Sequence, residues 1–263
     1  MANQSAIFDQ IRYTDEEIIS ILGANPEAAK FLDENGRLPL HKAVSVCKNP
    51  EVIRMLLGAN PKAAKVPDEN GRLPLHKAVS VCKNLEVVKM LLRAYPQATS
   101  KTDKYGCTPL HAAVGYTSKL DIVKLILEQH PQAASEKNNT GMLPLHIAIL
   151  QKSAAVVKLV YDAYPEADAK DIHSMFALHY AAQYNANPEV FKILLNLNPK
   201  SAKSMDNYGR FPLHIAARNK NQEVVKLIFD ANPEAAKVKD RDGKLPLHIA
   251  AEWNKNPEVE KLF

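Results

Sequence analysis

The sequence is poor in several features that would mark familiar classes of protein. Its 263 residues include only 3 cysteines, 1 tryptophan and 9 glycines, and the net charge of +5 falls well short of a nucleic-acid-binding arm. No apolar stretch approaches the ~20 residues of a membrane span, and the amino terminus lacks a secretory signal. An odd number of cysteines without a CxxC pair indicates reduced thiols at Cys47, Cys82 and Cys107. We therefore expect a cytoplasmic protein, with the nucleus left open, and no membrane association.

Proline, by contrast, is abundant, with 17 residues in the chain. A proline removes a backbone hydrogen bond from the interior of a helix or a central strand. Long helices, coiled coils and a large central sheet are therefore excluded unless the prolines lie at element boundaries. Intrinsic disorder is excluded as well, because 46% of the residues are hydrophobic and only 24% are charged.

A four-residue string ending in histidine recurs at intervals of about 35 residues. It reads LPLH or a close variant, and its copies end at His41, His76, His111, His146, His179, His214 and His248. Most prolines follow the same register, either inside the string or in an Asn-Pro, Tyr-Pro or His-Pro pair further on. The stretch DENGRLPLHKAVSVCKN occurs identically at 33–49 and 68–84, as direct duplication of a repeat would produce.

Each repeat predicts a turn, a short helix, a second turn and a second helix. An Asp-x-x-Gly string supplies the first turn, because glycine takes positive φ without strain. Proline then occupies the first position of a helix, for example from Pro39 to about Val46, where its missing N–H costs nothing. Asn49, before Pro50, is placed to cap the second helix. A pair of such short helices cannot bury its apolar face alone, so the repeats must stack.

These repeats resemble the ankyrin-repeat family, whose motif D-x-x-G-x-T-P-L-H-x-A-A is closely matched at Asp103–Val114 and Asp206–Ala217. The resemblance implies an all-α fold, an ankyrin-repeat α-solenoid of helix-turn-helix repeats joined by β-hairpin-like loops. One departure matters, since only Thr108 keeps the threonine of the motif and the other six repeats carry leucine or phenylalanine. Those six repeats must satisfy the first turn of their first helix without a threonine hydroxyl.

We expect a single domain over 1–263, with a cap followed by seven repeats. The cap covers 1–32 and contains a Thr14-x-x-Glu17 capping box. The repeats cover 33–67, 68–102, 103–137, 138–170, 171–205, 206–239 and 240–263, the last one truncated. The fifth repeat is atypical, because Ser174 replaces the glycine and Ala177 replaces the proline. Because the chain stops at Phe263 inside a predicted helix, we expect a fragment of a longer protein or a frayed end.

Neither catalysis nor metal binding is predicted. One histidine per repeat cannot share a metal ion, because stacked helices lie about 8–10 Å apart, and the resemblance implies that this histidine hydrogen-bonds backbone groups. Basic residues recur on the second helices, but most follow an acidic residue by three positions, which is typical of a solvated face. Motifs of hydrolases, nucleotide-binding proteins and zinc proteases are absent. We expect no enzyme, no cofactor and no small-molecule substrate.

The resemblance places partner binding on the loop tips and the exposed face of the first helices. Residue types that are common at interface centres occur there. The candidate partner-binding residues are Lys104, Tyr105, Tyr116, Met142, Leu150, His173, Met175, Tyr184, Tyr208, Arg210, Arg218, Lys244 and Trp253. We expect an apolar and aromatic centre with a mildly basic rim, although packing of these side chains on one another is the alternative.

The sequence thus predicts a non-catalytic, monomeric scaffold that binds a protein or peptide partner of unknown identity on its concave face. Three alternatives stay open at this point. The chain could be a targeting or regulatory segment of a larger enzyme or signalling protein, a weak nucleic-acid binder through the basic concave positions, or an engineered binder.

Overall fold

The structure is a computed structural model that describes residues 14–33, 35–46, 49–116, 119–151, 153–164, 170–184, 187–254 and 256–263. The first part of the predicted cap (1–13), Glu34 and Cys47 lie outside the described residues. The chain divides into two compact units, Met1–Ala133 and Ala134–Phe263. The predicted repeat boundaries and the single-domain organisation stay predictions.

The first unit contains one helix followed by three helix pairs. These are α1 (Asp15–Ala24), α2 (Pro39–Val46) with α3 (Pro50–Ala59), α4 (Pro74–Lys77) with α5 (Leu85–Ala94), and α6 (Pro109–Tyr116) with α7 (Leu120–Gln129). A π-helical turn, Ala78–Cys82, extends α4. The first helix of each pair begins at the proline of the repeated string, as predicted.

The second unit contains four helix pairs of the same kind. These are α8 (Pro144–Leu150) with α9 (Ala154–Ala163), α10 (Ala177–Tyr184) with α11 (Pro188–Leu197), α12 (Pro212–Ala216) with α13 (Gln222–Ala231), and α14 (Pro246–Ile249) with α15 (Pro257–Glu260). A π-helical turn, Ala250–Asn254, extends α14. All regular elements in the described ranges are helical, which agrees with the predicted all-α repeat solenoid.

Helix starts are capped as the sequence predicts. Thr14 and Glu17 form a complete capping box at α1. The side chains of Asn49, Asn187 and Asn256 each accept a hydrogen bond from the N–H of the glutamate two positions later. These caps satisfy donors that the first turn of a helix leaves unpaired.

Six connections to the next repeat form a regular element that the sequence did not predict. A single 3₁₀ turn beginning at proline follows the α-helix in six places, Pro26–Lys30, Pro61–Lys65, Pro96–Ser100, Pro131–Ser135, Pro199–Lys203 and Pro233–Lys237. The alanines of these turns are buried, for example Ala63 and Ala64. Burial of these small side chains explains why the chain forms a packed turn here.

The core of each unit lies between the two layers of helices. In the first unit it includes Leu75 from α4 and Val87, Val88 and Leu91 from α5, all of which are almost fully buried. In the second unit Phe191 of α11 is the largest fully buried side chain. Burial of a leucine or phenylalanine contributes about 1.5–3 kcal/mol, so this apolar layer is what holds successive repeats together.

Two general properties follow from the described residues. Cys82 is disulfide-bonded, so the expectation of reduced thiols is wrong for this residue. None of the described helices has both the length and the apolar character that a membrane crossing requires.

Candidate partner-binding surface

The turn that opens each repeat is fixed by its acidic residue. In the third repeat, Oδ1 of Asp103 accepts the N–H groups of Tyr105 and Cys107, both at 2.9 Å. The backbone N–H of Asp103 donates to the carbonyl of Cys107, and the N–H of Gly106 donates to the carbonyl of Asp103. The same carboxylate or amide pattern recurs at Asp33, Asp68, Asn138, Asp171, Asp206 and Asp240. The backbone of each loop tip is therefore held by hydrogen bonds that any tip residue except proline can form.

The fifth repeat keeps this turn despite its atypical sequence. Ser174 adopts φ 59°, the left-handed conformation that glycine has in the other turns. The N–H of Ser174 still donates to the carbonyl of Asp171 at 3.1 Å. The departure at this position therefore changes the local strain and leaves the loop geometry intact.

The repeated histidine satisfies the backbone donor that precedes each first helix. Its Nδ1 accepts the backbone N–H three residues earlier at 3.0–3.2 Å in all seven repeats, at His41, His76, His111, His146, His179, His214 and His248. This bond satisfies a donor at the helix start whatever side chain precedes the proline. In the third repeat the hydroxyl of Thr108 also lies 2.9 Å from Nδ1 of His111.

The opposite ring nitrogen reaches a backbone carbonyl further along the chain in three repeats. Nε2 of His76 lies 3.2 Å from the carbonyl oxygen of Cys107 in the next repeat of the first unit. In the second unit, Nε2 of His179 lies 3.3 Å from the carbonyl oxygen of Arg210 in the next repeat, and Nε2 of His214 lies 3.0 Å from the carbonyl oxygen of Val238, near the end of its own repeat. A neutral ring that accepts at Nδ1 and donates at Nε2 satisfies both bonds. These contacts confirm the predicted hydrogen bonding of the histidine to backbone.

Burial keeps these histidines neutral. Loss of solvent lowers the pKa of His41, His76 and His214, and it lowers the pKa of His179 to about 4. Among the described residues, no three histidine, cysteine, aspartate or glutamate side chains lie close enough to hold one metal ion. The histidine series is therefore a structural element of the stack.

Backbone hydrogen bonds also connect neighbouring loop tips. The N–H of Lys104 donates to the carbonyl of Asn70 at 2.9 Å in the first unit. In the second unit, the N–H of Asn207 donates to the carbonyl of His173 and the N–H of Arg241 donates to that of Tyr208, both at 3.0 Å. Within each unit the tips thus form a row whose side chains project from a fixed backbone.

Much of the predicted basic rim is neutralised by the turn carboxylates. Lys42 and Arg37 both pair with Asp33, and Lys77 pairs with Asp68. Arg72 lies 3.4 Å from Asp103, and Arg210 lies 2.7 Å from Asp206. Burial alone would raise the pKa of Asp68, but hydrogen bonds from the backbone of Arg72 and from Lys77 lower it overall. These cations hold the turns in place and contribute little free positive charge.

In the first unit, the exposed ends of the first helices carry apolar side chains. Val46, Val81 and Tyr116 occupy the same position, five residues after the histidine of their repeats. Their exposed fractions are 45%, 55% and 62%. Tyr105, on a loop tip, is also exposed and lies beneath the ammonium of Lys104, 5.1 Å from the ring centroid. This surface offers apolar area that packing within the unit leaves uncovered.

In the second unit, aromatic and cationic side chains pair with each other. Arg210 lies over the ring of Tyr208 at 4.8 Å, and Arg218 lies over the indole of Trp253 at 5.0 Å. Tyr184 is half exposed and stacks on Tyr180, with ring centroids 6.2 Å apart. A cavity of about 150 Å³ opens beside these residues. Its apolar lining comes from Ala182, Ile215 and Ile249.

The remaining sequence-predicted residues differ in their exposure. His173 is exposed, Met142, Leu150 and Lys244 are partly buried, and Met175 retains only 7% exposure. Met175 points into the repeat, so we leave it out of the surface.

Tyr180 is a residue that sequence reasoning did not single out. It occupies the position after the histidine, where the first two repeats have lysine, and its hydroxyl donates to Asp171 at 2.7 Å.

The second helices expose the paired charges that the sequence indicates, with variations in partner. Arg54 pairs with Glu51, and Lys192 lies 2.8 Å from Glu189 and 3.2 Å from Glu223. Lys158 pairs with Asp162, four residues later. Exposed pairs of this kind are worth at most about 1 kcal/mol each. This outer face is therefore a solvated, charge-balanced surface.

The chain belongs to the ankyrin-repeat family. The family model for ankyrin repeats matches in three copies, over residues 7–101, 81–172 and 175–263. Ankyrin repeats are in general protein–protein interaction modules, and domains built from them are typically non-catalytic.

Two solved structures show the same fold. The human ASB11 ankyrin repeat domain is 23% identical with a TM-score of 0.73, and the match covers 86% of this chain and 96% of that one. The ankyrin repeat domain of Bcl-3, a member of the IκB protein family, is 22% identical with a TM-score of 0.67, covering 87% and 99%. No curated protein sequence matches the chain. At these identities the likeness concerns the fold alone.

Proposed function

We propose that this chain is a non-catalytic scaffold that binds a protein or peptide partner with its loop tips and the exposed ends of its first helices. The observation that carries the proposal is the exposure of large apolar side chains on these elements. Tyr105, Tyr116, Tyr208 and Trp253 are each more than half exposed. Aromatic side chains at such positions bury large areas on binding and are frequent hot spots.

The rigidity of the loop tips supports the same proposal. Each tip is fixed by its turn carboxylate or amide, and backbone hydrogen bonds link the tips of the second and third repeats and those of the fifth, sixth and seventh. A surface that is already ordered loses little conformational entropy when a partner binds. Binding with little rearrangement is the mechanism we expect.

Protein is favoured over nucleic acid as the partner by the charge distribution. Binding to nucleic acid depends on cations that are available to phosphates. Arg37, Arg72 and Arg210 are already paired with aspartates at the turns. Lysines of the outer face, such as Lys192, are likewise paired with glutamates.

Site-specific photo-cross-linking tests the proposal. A photoreactive phenylalanine analogue replaces Tyr116 or Tyr184 in the full chain, and the same analogue at Lys226 on α13 serves as the control. We expect discrete protein adducts from cell extract at the first two positions and none at the control. Equal cross-linking at all three positions, or adducts that consist of nucleic acid, would contradict the proposal.

A further inference from the structure

The cavity of the second unit contains a cation that is left without a carboxylate. Three cationic side chains line it, Arg210, Arg218 and Lys244. Asp206 pairs with the first at 2.7 Å and Glu252 pairs with the third at 2.5 Å. Within the part of the chain that the structure describes, no carboxylate forms an ion pair with Arg218; Glu252 pairs with Lys244 and is only close enough for the guanidinium to help lower its pKa. Its guanidinium lies instead over the indole of Trp253.

The two carboxylates that line the cavity have other roles. Oδ1 of Asp240 accepts the backbone N–H groups of Asp242 and Lys244 at 3.0 and 2.8 Å, and the residue is buried in its turn. Asp242 is exposed at the loop tip. Neither forms an ion pair with Arg218, so the donors of this guanidinium remain available to a ligand.

Arg218 is held in place by the adjacent repeat. The side-chain amide of Asn254 donates to the carbonyl of Ala217 at 3.0 Å and to that of Asn219 at 2.6 Å. These two carbonyls flank Arg218 in the sequence, and Asn254 directly follows Trp253. The amide therefore fixes the backbone on both sides of Arg218, and the guanidinium itself is in contact with the indole of Trp253.

We infer that this cavity receives one carboxylate side chain, an aspartate or a glutamate, from a protein partner. The inference rests on the proposed function and specifies the chemistry of the partner. A guanidinium forms two parallel hydrogen bonds with a carboxylate, a geometry that few other groups match. In the lining of the same cavity, Ala182, Ile215 and Ile249 offer apolar area for the carbon atoms of the incoming side chain. A volume of about 150 Å³ accommodates a group as large as benzene, so one such side chain fits.

The surrounding charges favour a single carboxylate over an acidic run. Asp242 lines the cavity, and Glu252 lies next to Trp253 in the sequence, so both would repel further acidic residues. A basic side chain in the cavity would instead meet Arg218, the lining cation whose charge no ion pair neutralises among the described residues. The segment that fits is one acidic residue flanked by apolar neighbours, which can contact the exposed faces of Tyr184 and Trp253.

Nuclear magnetic resonance on the full chain tests this without knowledge of the natural partner. The probes are three capped tripeptides, leucine-glutamate-leucine and its glutamine and lysine counterparts, and the readout is the side-chain Nε–Hε signal of Arg218. We expect the glutamate peptide to shift this signal and the glutamine peptide to bind at least about tenfold more weakly, because charge-assisted hydrogen bonds are roughly twice as strong as neutral ones. In Arg218→Gln, backbone signals around the cavity should no longer respond to the glutamate peptide. In the matched control Lys226→Gln, which removes one positive charge from the second helix of the same repeat, the response should persist.

Three results would overturn the inference. They are equal binding of the glutamate and glutamine peptides, stronger binding of the lysine peptide, and the absence of any shift at Arg218 with millimolar glutamate peptide. Cross-linking at Tyr116 and Tyr184 is measured independently of these titrations. If a partner cross-links at these tyrosines but carboxylate peptides do not bind at Arg218, the proposed function stands and this inference fails. If the glutamate peptide binds at Arg218 but no protein adduct forms, this inference stands and the proposed function fails.

Discussion

The phenol of Tyr180 donates a hydrogen bond to Oδ2 of Asp171 at 2.7 Å, in the position where the first two repeats have a lysine. There, Lys42 lies 3.2 Å from Asp33 and Lys77 lies 3.1 Å from Asp68. Burial raises the pKa of Tyr180, and the hydrogen bond to Asp171 raises it further, so the phenol stays protonated and keeps its donor. In these three repeats a side chain of the first helix thus donates to the turn carboxylate; the donor is a lysine ammonium in the first two and a tyrosine hydroxyl in the fifth.

Replacing Tyr180 by phenylalanine should therefore destabilise the protein. The change leaves a buried carboxylate oxygen without its donor, which costs about 1–3 kcal/mol. Urea unfolding monitored by circular dichroism measures the effect. Tyr180→Lys provides the control, since it restores the donor found in the first two repeats and should recover part of the loss. A phenylalanine variant as stable as the parent would show that Asp171 does not depend on this bond.

Ser174→Gly should stabilise the protein by roughly 0.5–1 kcal/mol. The left-handed conformation at φ 59° costs serine conformational free energy, whereas glycine adopts it without strain. Gly141→Ala in the preceding turn tests the opposite direction. Its Cβ would lie 2.8 Å from Cγ2 of Ile172 and 3.1 Å from the nitrogen of that residue, at φ 75°. We expect a lower melting temperature for Gly141→Ala and a higher one for Ser174→Gly, and a loss of stability in both would contradict the strain argument.

Stability should fall as the pH drops from about 6.5 towards 4. The buried histidines have lowered pKa values in the folded state, His179 to about 4, so the unfolded chain binds more protons over this range. Each such histidine then removes about 1.4 kcal/mol of stability per pH unit. The aspartates with lowered pKa values, Asp33 and Asp68, act in a separate range below about pH 4, where their protonation destabilises the fold.

Urea unfolding at a series of pH values checks this dependence. His179→Gln is the matched variant, because it removes one titrating group and should reduce the slope between pH 6.5 and 4 by about one proton. A stability that stays constant between pH 6.5 and 5 in the parent protein would be incompatible with neutral, buried histidines.

Tyr116→Ala and Tyr184→Ala should each weaken partner binding by more than about 2 kcal/mol. Tyr116 is 62% exposed, so its loss should leave the melting curve nearly unchanged. Tyr184 stacks on Tyr180, so the Tyr184→Ala change should lower stability slightly. Calorimetry with the cross-linked partner measures the affinities, and Lys226→Ala on the outer face is the control. Unchanged affinity in both tyrosine variants would exclude this face as the binding surface.

The regular features of this fold could be predicted because each depends on a few residues that are adjacent in the sequence of a repeat. The prolines at helix starts and the asparagine caps at Asn49, Asn187 and Asn256 depend on a few adjacent residues. The histidine at the fourth position of the string also acts locally, since its Nδ1 reaches back three residues. The missing threonine did not reveal this bond, which the ring nitrogen forms in all seven repeats, including the one that keeps Thr108.

The candidate site was harder to predict, because its geometry depends on contacts between repeats. Arg218 and Trp253 are 35 positions apart, and no local pattern indicates that one lies over the other. Likewise, Met175 occupies a loop-tip position but is buried. Whether such a side chain points outward depends on the volume that the adjacent repeats leave free.

The seven turns place the demands of folding and of recognition on different atoms. Oδ1 of the acidic or amide side chain at the start of each turn accepts backbone N–H groups of the tip, for example those of Tyr105 and Cys107. Any residue except proline supplies such an N–H group, so these bonds do not depend on the tip side chain, and Arg37 and Arg210 only add an ion pair to the other carboxylate oxygen. Recognition can therefore diversify in this protein by single substitutions at the tips, one loop at a time. The same positions are suited to randomisation when a new binding specificity is to be selected.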